Sequence, residues 1–222
     1  MSKSEQTKRG IARAFVSLVE SQPLEKVNVS KLVDAMGINR KTFYYHFTDK
    51  TDLVIWTFRS ALADALQERF EREQLVEPGP GSQDPYQDLP CYVLNKLGVR
   101  SLDHSGFFQT FLNVLAGNRT YYLKVLSSPT AGLAPYLEGL YEPLVKADIE
   151  FILGGRYLPP ESASFLSTYF VTAALGMLFR LLEHPELLSN QAAVEPFANL
   201  THEALRHAIE DHPMRRAPRP AQ

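Results

Sequence analysis

Val29-Ser30-Lys31-Leu32-Val33-Asp34-Ala35-Met36-Gly37-Ile38-Asn39-Arg40-Lys41-Thr42-Phe43-Tyr44-Tyr45-His46-Phe47-Thr48-Asp49-Lys50-Thr51-Asp52-Leu53 is the stretch whose reading decides the fold. Leu32, Val33 and Met36 space out one face of a short helix, with Ser30 a candidate N-cap. Gly37 ends that helix, because a tight turn there needs positive φ. Asn39 then caps a second short helix through Phe47, and Asp49 with Asp52 opens a long one to about residue 74. Two short helices across a glycine turn form a helix-turn-helix, whose second helix enters the DNA major groove.

At about 100° per residue, Phe43 and Phe47 fall together and can bury against the helices before them. Lys41 and Tyr45 lie opposite, Thr42 and Tyr44 sit beside them, and Arg40 and His46 flank the buried stripe. This outer face has no acid, although an ordinary solvated face favours Glu and Lys over two tyrosines. Lysine or arginine can reach guanine acceptors, threonine a thymine methyl, and tyrosine hydroxyls can bond phosphates. Lys50, in the first turn of the long helix, is a cation where the helix dipole is already positive. Either a docked anion compensates it or it is a solvated lysine offset by Asp49 and Asp52.

The same residues resemble the reader signature of the TetR family: an Ala-x-Gly turn (Ala35-Met36-Gly37), then Thr42-Phe43-Tyr44-Tyr45-His46-Phe47, then Lys50 and Leu53. The resemblance covers about the first quarter of the chain. It implies base-facing roles for Asn39, Arg40, Lys41 and Thr42, and phosphate contacts for Tyr44, Tyr45, His46 and Lys50. Asn28 or Ser30 is similarly placed to touch the backbone. Lys41 stands where many members carry a smaller residue. The resemblance further implies an all-α fold and a homodimer on double-stranded DNA with a palindromic operator. By analogy it also implies a regulator, a repressor as the first expectation, released by a small, mostly apolar effector, with the choice of repressor or activator not set by the sequence.

Upstream, Ile11, Phe15, Leu18 and Val19 mark an amphipathic first helix over about residues 4–21, closed by Pro23. Residues 1–60 hold ten Lys or Arg against six Asp or Glu, while the rest of the chain has a surplus of six negative charges. A basic head on an acidic body suits contact with a polyanion at one end. Cys91 is the only cysteine, which excludes an intrachain disulfide and a cysteine-rich zinc site. Charges interrupt the first twenty residues, and no uncharged apolar run reaches eighteen, so a soluble cytoplasmic protein without a membrane segment is expected.

Downstream, residues 77–85 combine proline and glycine and read as an exposed loop. Helices are expected at about 86–102, 106–116, 120–126, 135–153, 161–183 and 191–211, followed by a disordered tail over 212–222. The chain thus divides into a reader (1–50), a helical ligand-binding and dimerisation body (51–211) and the tail. Trp56, Phe107, Phe108, Phe111, Tyr122 and Tyr141 are the candidate ligand pocket, although aromatics at helical spacing make core as readily. Arg100, Arg119, Lys124 and Lys146 are candidate anion partners. Phe165, Tyr169, Thr172, Gly176 and Phe179 form a stripe that serves either a dimer interface or internal core.

Two other classes compete. An enzyme lacks support: the six histidines form no metal or acid–base motif, and no phosphate- or dinucleotide-binding glycine pattern occurs. Glu203, His207 and Asp211 share a helical face that reads as a salt-bridged surface, so no metal and no cofactor are expected. The second is a co-regulator of the same fold that acts through a protein partner without an inducer.

Overall fold

The computed structural model describes residues 2–79, 82–188 and 203–209. Its first helix, α1 (Lys3–Ser21), is capped by the Ser2 hydroxyl, which accepts the Glu5 N–H, and buries Ile11, Phe15 and Val19. A 3-10 turn, Leu24–Lys26, leads to α2 (Val29–Met36). The cap of α2 is Asn28, not Ser30: Asn28 keeps an extended backbone and its carboxamide accepts the Lys31 N–H at 3.0 Å. Ser30 lies inside the first turn, where its hydroxyl accepts from the Arg40 guanidinium. Gly37, at φ 65°, closes α2 and turns the chain into α3 (Arg40–His46).

The long helix α4 (Lys50–Arg69) starts on Asp49, whose side chain accepts the Asp52 N–H at 2.8 Å. It stops five residues short of the expected end. Phe70 turns extended and lays its ring against Gly106, and a 3-10 turn capped by Glu71 follows. The expected helix at 86–102 is absent. Tyr92–Val93 (β2) pairs antiparallel with Leu75–Val76 (β1), and Lys96–Gly98 (β3) pairs with Ser101–Leu102 (β4) around Arg100, at φ 62°. Pro90 supplies no N–H and disfavours helix in the residue before it, and Val93 and Val99 are β-branched.

The body is helical: α5 (Ser105–Gly117), α6 (Arg119–Leu126), α7 (Leu133–Leu153), α8 (Pro160–Glu183) and the short α9 (Pro185–Leu188), with residues 203–209 also helical. One core runs unbroken from Phe15, Leu32, Phe43 and Phe47 through Val54, Phe58 and Leu62 to Phe111, Tyr121, Leu137 and Leu178. A smaller cluster joins Ile149 and Ile152 of α7 to Leu158, Phe170, Leu205 and Ile209. By length and composition α8 could cross a membrane, although Ser, Thr, Tyr and Gly interrupt its apolar run. Here its inner face, including Val171, Leu175 and Leu178, is buried in the core. The tail at 212–222 and most of the helix expected over 191–211 lie outside the described residues.

Candidate nucleic-acid interface

Phe43 and Phe47 anchor the back of α3 and are almost wholly buried, their rings 5.8 Å apart. On the other side Tyr44 is 56% and Tyr45 79% exposed, as the helical wheel requires. Lys41 and Arg40 are exposed with them, and Thr42 is half-buried. Asn39 caps α3: its side-chain oxygen accepts the Thr42 N–H at 2.8 Å and the Thr42 hydroxyl at 3.1 Å. Arg40 reaches back to Ser30, so its guanidinium bridges α3 and α2. The ten candidate residues Asn28, Ser30, Asn39, Arg40, Lys41, Thr42, Tyr44, Tyr45, His46 and Lys50 are all at least partly exposed.

Lys50 is not the freely solvated lysine of one sequence reading. Its ammonium donates to the carbonyls of Leu24 at 3.3 Å and Val27 at 3.4 Å, closing the connection between α1 and α2. Those carbonyls supply the negative partial charge that a cation at a helix N-terminus needs. His46 ends α3 half-buried, with Tyr45 edge-on to its ring. Burial, reinforced by the Lys8 charge, holds its pKa below the ordinary histidine value, although Glu5 opposes the shift.

Lys8 was not singled out in the sequence. Its half-buried ammonium lies 4.8 Å from the Trp56 ring centre, 5.3 Å from Phe47 and 5.4 Å from Tyr86. A cation over three rings joins α1, the end of α3, α4 and the segment after α4. Burial lowers the Lys8 pKa, against the raising influence of Asp52 and Glu5. Trp56 therefore sits at the junction between reader and body, where it lines a groove with Arg9, Ala12 and Asp64.

The segment expected as an exposed loop is clipped down by Asp84. Its carboxylate meets the Arg59 guanidinium at 2.6 Å, both side chains being buried, and accepts from the Tyr136 hydroxyl at 2.5 Å. Arg59 also donates to the carbonyls of Tyr86 at 3.2 Å and Leu89 at 2.5 Å, while its Nε has no partner among the described residues. A lone arginine within the apolar run 53–63 was the available signal. Asp52 accepts the Thr48 N–H at 2.8 Å and the Tyr86 hydroxyl.

Four of the six candidate pocket residues, Phe107, Phe108, Phe111 and Tyr141, come together with Tyr92 around a cavity of about 30 Å³. That space holds a water or two. Tyr122 is buried elsewhere, edge-on to Phe58 and Tyr121. Beside the cavity, Asp148 accepts the Tyr92 hydroxyl at 2.6 Å and pairs with His104 at 3.0 Å. Two of the expected anion partners are engaged with helix ends. Arg119 donates to Leu182 and Glu183 carbonyls at the end of α8, and Lys124 to Val19, Glu20 and Gln22 at the end of α1. On α8, Phe165 and Tyr169 stack with ring centres 6.3 Å apart; both are exposed, as are Thr172 and Gly176, while Phe179 is half-buried. Phe179 packs against the main core, whereas Phe165, Tyr169, Thr172 and Gly176 are not internal core of the monomer.

Residues 11–55, from α1 into α4, match the model of the bacterial regulatory proteins of the tetR family. The reader is a tetR-family domain. The chain is 32% identical over 71 residues to the HTH-type dhaKLM operon transcriptional activator DhaS of Lactococcus lactis subsp. lactis (strain IL1403). That match covers 32% of this chain and 38% of the relative, so the chain spans about two fifths of the length of the curated relative it matches. Among solved structures, a dihydroxyacetone kinase operon activator DhaS superposes with a TM-score of 0.52 at 16% identity, covering 92% of this chain and 96% of that one. This second likeness extends the tetR-type fold over the body. The matched proteins are transcription regulators, not enzymes.

Proposed function

We propose that the chain is a cytoplasmic, dimeric transcription regulator that reads a palindromic operator with one α3 per protomer. The observation that carries this reading is the acid-free outer face of α3, where Lys41, Tyr44 and Tyr45 stand exposed while Phe43 and Phe47 are locked behind them. Two such helices engage adjacent major grooves when they lie about 34–36 Å apart. The exposed stripe Phe165, Tyr169, Thr172 and Gly176 supplies the second copy's contact, α8 meeting α8 across a two-fold axis. A small, mostly apolar ligand in the body then sets the separation of the readers and releases DNA by population shift.

The release of DNA makes the chain a repressor where the operator overlaps the polymerase site. The Lactococcus relative is named an activator, and the same two-state reader serves that role when the operator lies upstream. A promoter–reporter fusion assayed with and without the chain reads the sign. Selection of bound duplexes from a random pool tests the central reading: a palindrome with half-sites one turn apart is expected, and no enrichment would end it. Compounds that change operator affinity test the effector.

The closed aromatic interior favours a second reading, in which a protein partner replaces the small molecule. The tip of the β3–β4 hairpin presents Leu97 and Val99 to solvent, 68% and 91% exposed, a surface suited to such a partner.

A further inference from the structure

A groove of about 570 Å³ separates the segment around Pro85 from the outer face of α7, with Asp84, Tyr136, Gly139, Leu140 and Pro143 among its walls. We propose that this groove is the effector site, taking a neutral, mostly apolar small molecule that carries a hydroxyl or amide N–H. We further propose that the Asp84–Tyr86 segment passes its occupancy to the reader. This inference rests on the ligand-gated reading above.

The volume falls within the range of small-molecule pockets, whereas the aromatic interior has about 30 Å³. Prolines and leucines make most of the lining. Its one charged member among the described residues, Asp84, is already met by Arg59 at 2.6 Å. A charged molecule would therefore leave water without a free countercharge. The groove instead offers an acceptor. Pro143, inside α7, has no N–H, so the Gly139 carbonyl lacks its i+4 donor, and both residues line the groove.

The wall is wired to the reader by three contacts. Asp84 accepts the Tyr86 N–H at 2.6 Å, the Tyr86 hydroxyl donates to Asp52, and Asp52 holds the Thr48 N–H between α3 and α4. A molecule that displaces the segment from α7 thus acts on the end of α3.

Thermal unfolding of the full chain with 2-naphthalenemethanol, 2-naphthylmethylamine or 2-naphthoate tests the site. The alcohol at about ten times its Kd is expected to raise Tm by roughly 3–6 °C, and the two ions to leave it unchanged. Gly139→Trp is expected to abolish the rise and Gly139→Ala to keep it; a Cβ at this position meets nothing within 4 Å, so the alanine is accommodated, and a cooperative unfolding transition without ligand is required of Gly139→Trp before its response is read. Tyr86→Phe is expected to keep the thermal response but lose the alcohol's effect on operator affinity. A full response in Gly139→Trp would remove the site while leaving ligand gating intact. So would a wild type indifferent to the alcohol, or equally responsive to all three probes. Undiminished transmission in Tyr86→Phe would overturn the coupling route. Ligand gating itself falls only if no compound changes operator affinity.

Discussion

Lys124 on α6 donates to the carbonyl of Val19 near the end of α1, 2.8 Å away, and closes that end with a charge supplied by the body. The last turn of a helix leaves carbonyls without partners, and a cation there also meets the negative end of the dipole. Reader and body are therefore joined at α1 as well as through α4.

Replacing that ammonium is expected to loosen the joint. Lys124→Met removes hydrogen bonds to three carbonyls, and a hydrogen bond to a charged group contributes about 1.5–3 kcal/mol where it is well buried, though water replaces most of that at an open site. The site is half-exposed, so a loss of about 1 kcal/mol is expected in urea denaturation, with weaker operator binding. An unchanged midpoint would show that water replaces the lysine without cost.

Arg59 and Asp84 carry a larger penalty. Asp84→Ala leaves a fully buried guanidinium without its countercharge, which costs about 3–5 kcal/mol. The double variant Arg59→Met/Asp84→Leu is expected to recover much of that loss, because the buried charge goes too. A double variant as unstable as the single one would place the penalty in packing instead.

On α3, stability and binding are expected to separate. Tyr45 is 79% exposed, so Tyr45→Ala changes stability by no more than about 0.5 kcal/mol while weakening operator binding about tenfold or more. Lys50→Ala is expected to lower both, since its ammonium also ties the Leu24 and Val27 carbonyls. Binding isotherms at several salt concentrations give a log–log slope near −0.9 per phosphate neutralised. Tyr45→Ala with unaltered affinity would count against the assigned face.

His46 gives the pH dependence. Burial and the Lys8 charge depress its folded pKa below 6.5, so the unfolded chain binds more protons between the two values. Its contribution to stability is complete above pH 6.5 and is lost as pH falls through the folded pKa. Denaturation midpoints from pH 7.5 to 5 are expected to decline less in His46→Gln than in the wild type.

The reader was legible because its signals are local. Asn39 caps, Gly37 turns and Phe43 and Phe47 bury within ten residues of one another, so capping, turn and periodicity together placed α2 and α3. The middle of the chain was not. Strands of two and three residues, such as Tyr92–Val93, carry too little pattern to register and owe their conformation to Leu75–Val76, far back in the sequence. Asp84 likewise becomes a buried group only through Arg59, twenty-five positions earlier. Aromatic composition marked Phe107, Phe111 and Tyr141 as neighbours, but the small space left between them depends on packing.

The cap at Asn39 fixes the polarity with which the tip of α3 can address a base pair. Its carboxamide oxygen spends both lone pairs on Thr42, so only the NH₂ group faces outward, and the Thr42 hydroxyl, having given its proton inward, has only lone pairs to offer. A donor-only amide cannot form the two-point pairing with adenine, which needs an acceptor for N6 beside a donor for N7. In the proposed DNA complex, while the cap holds, Asn39 would favour guanine N7 and O6 or thymine O4, and a step rich in such oxygens and nitrogens is the one this helix end is expected to select.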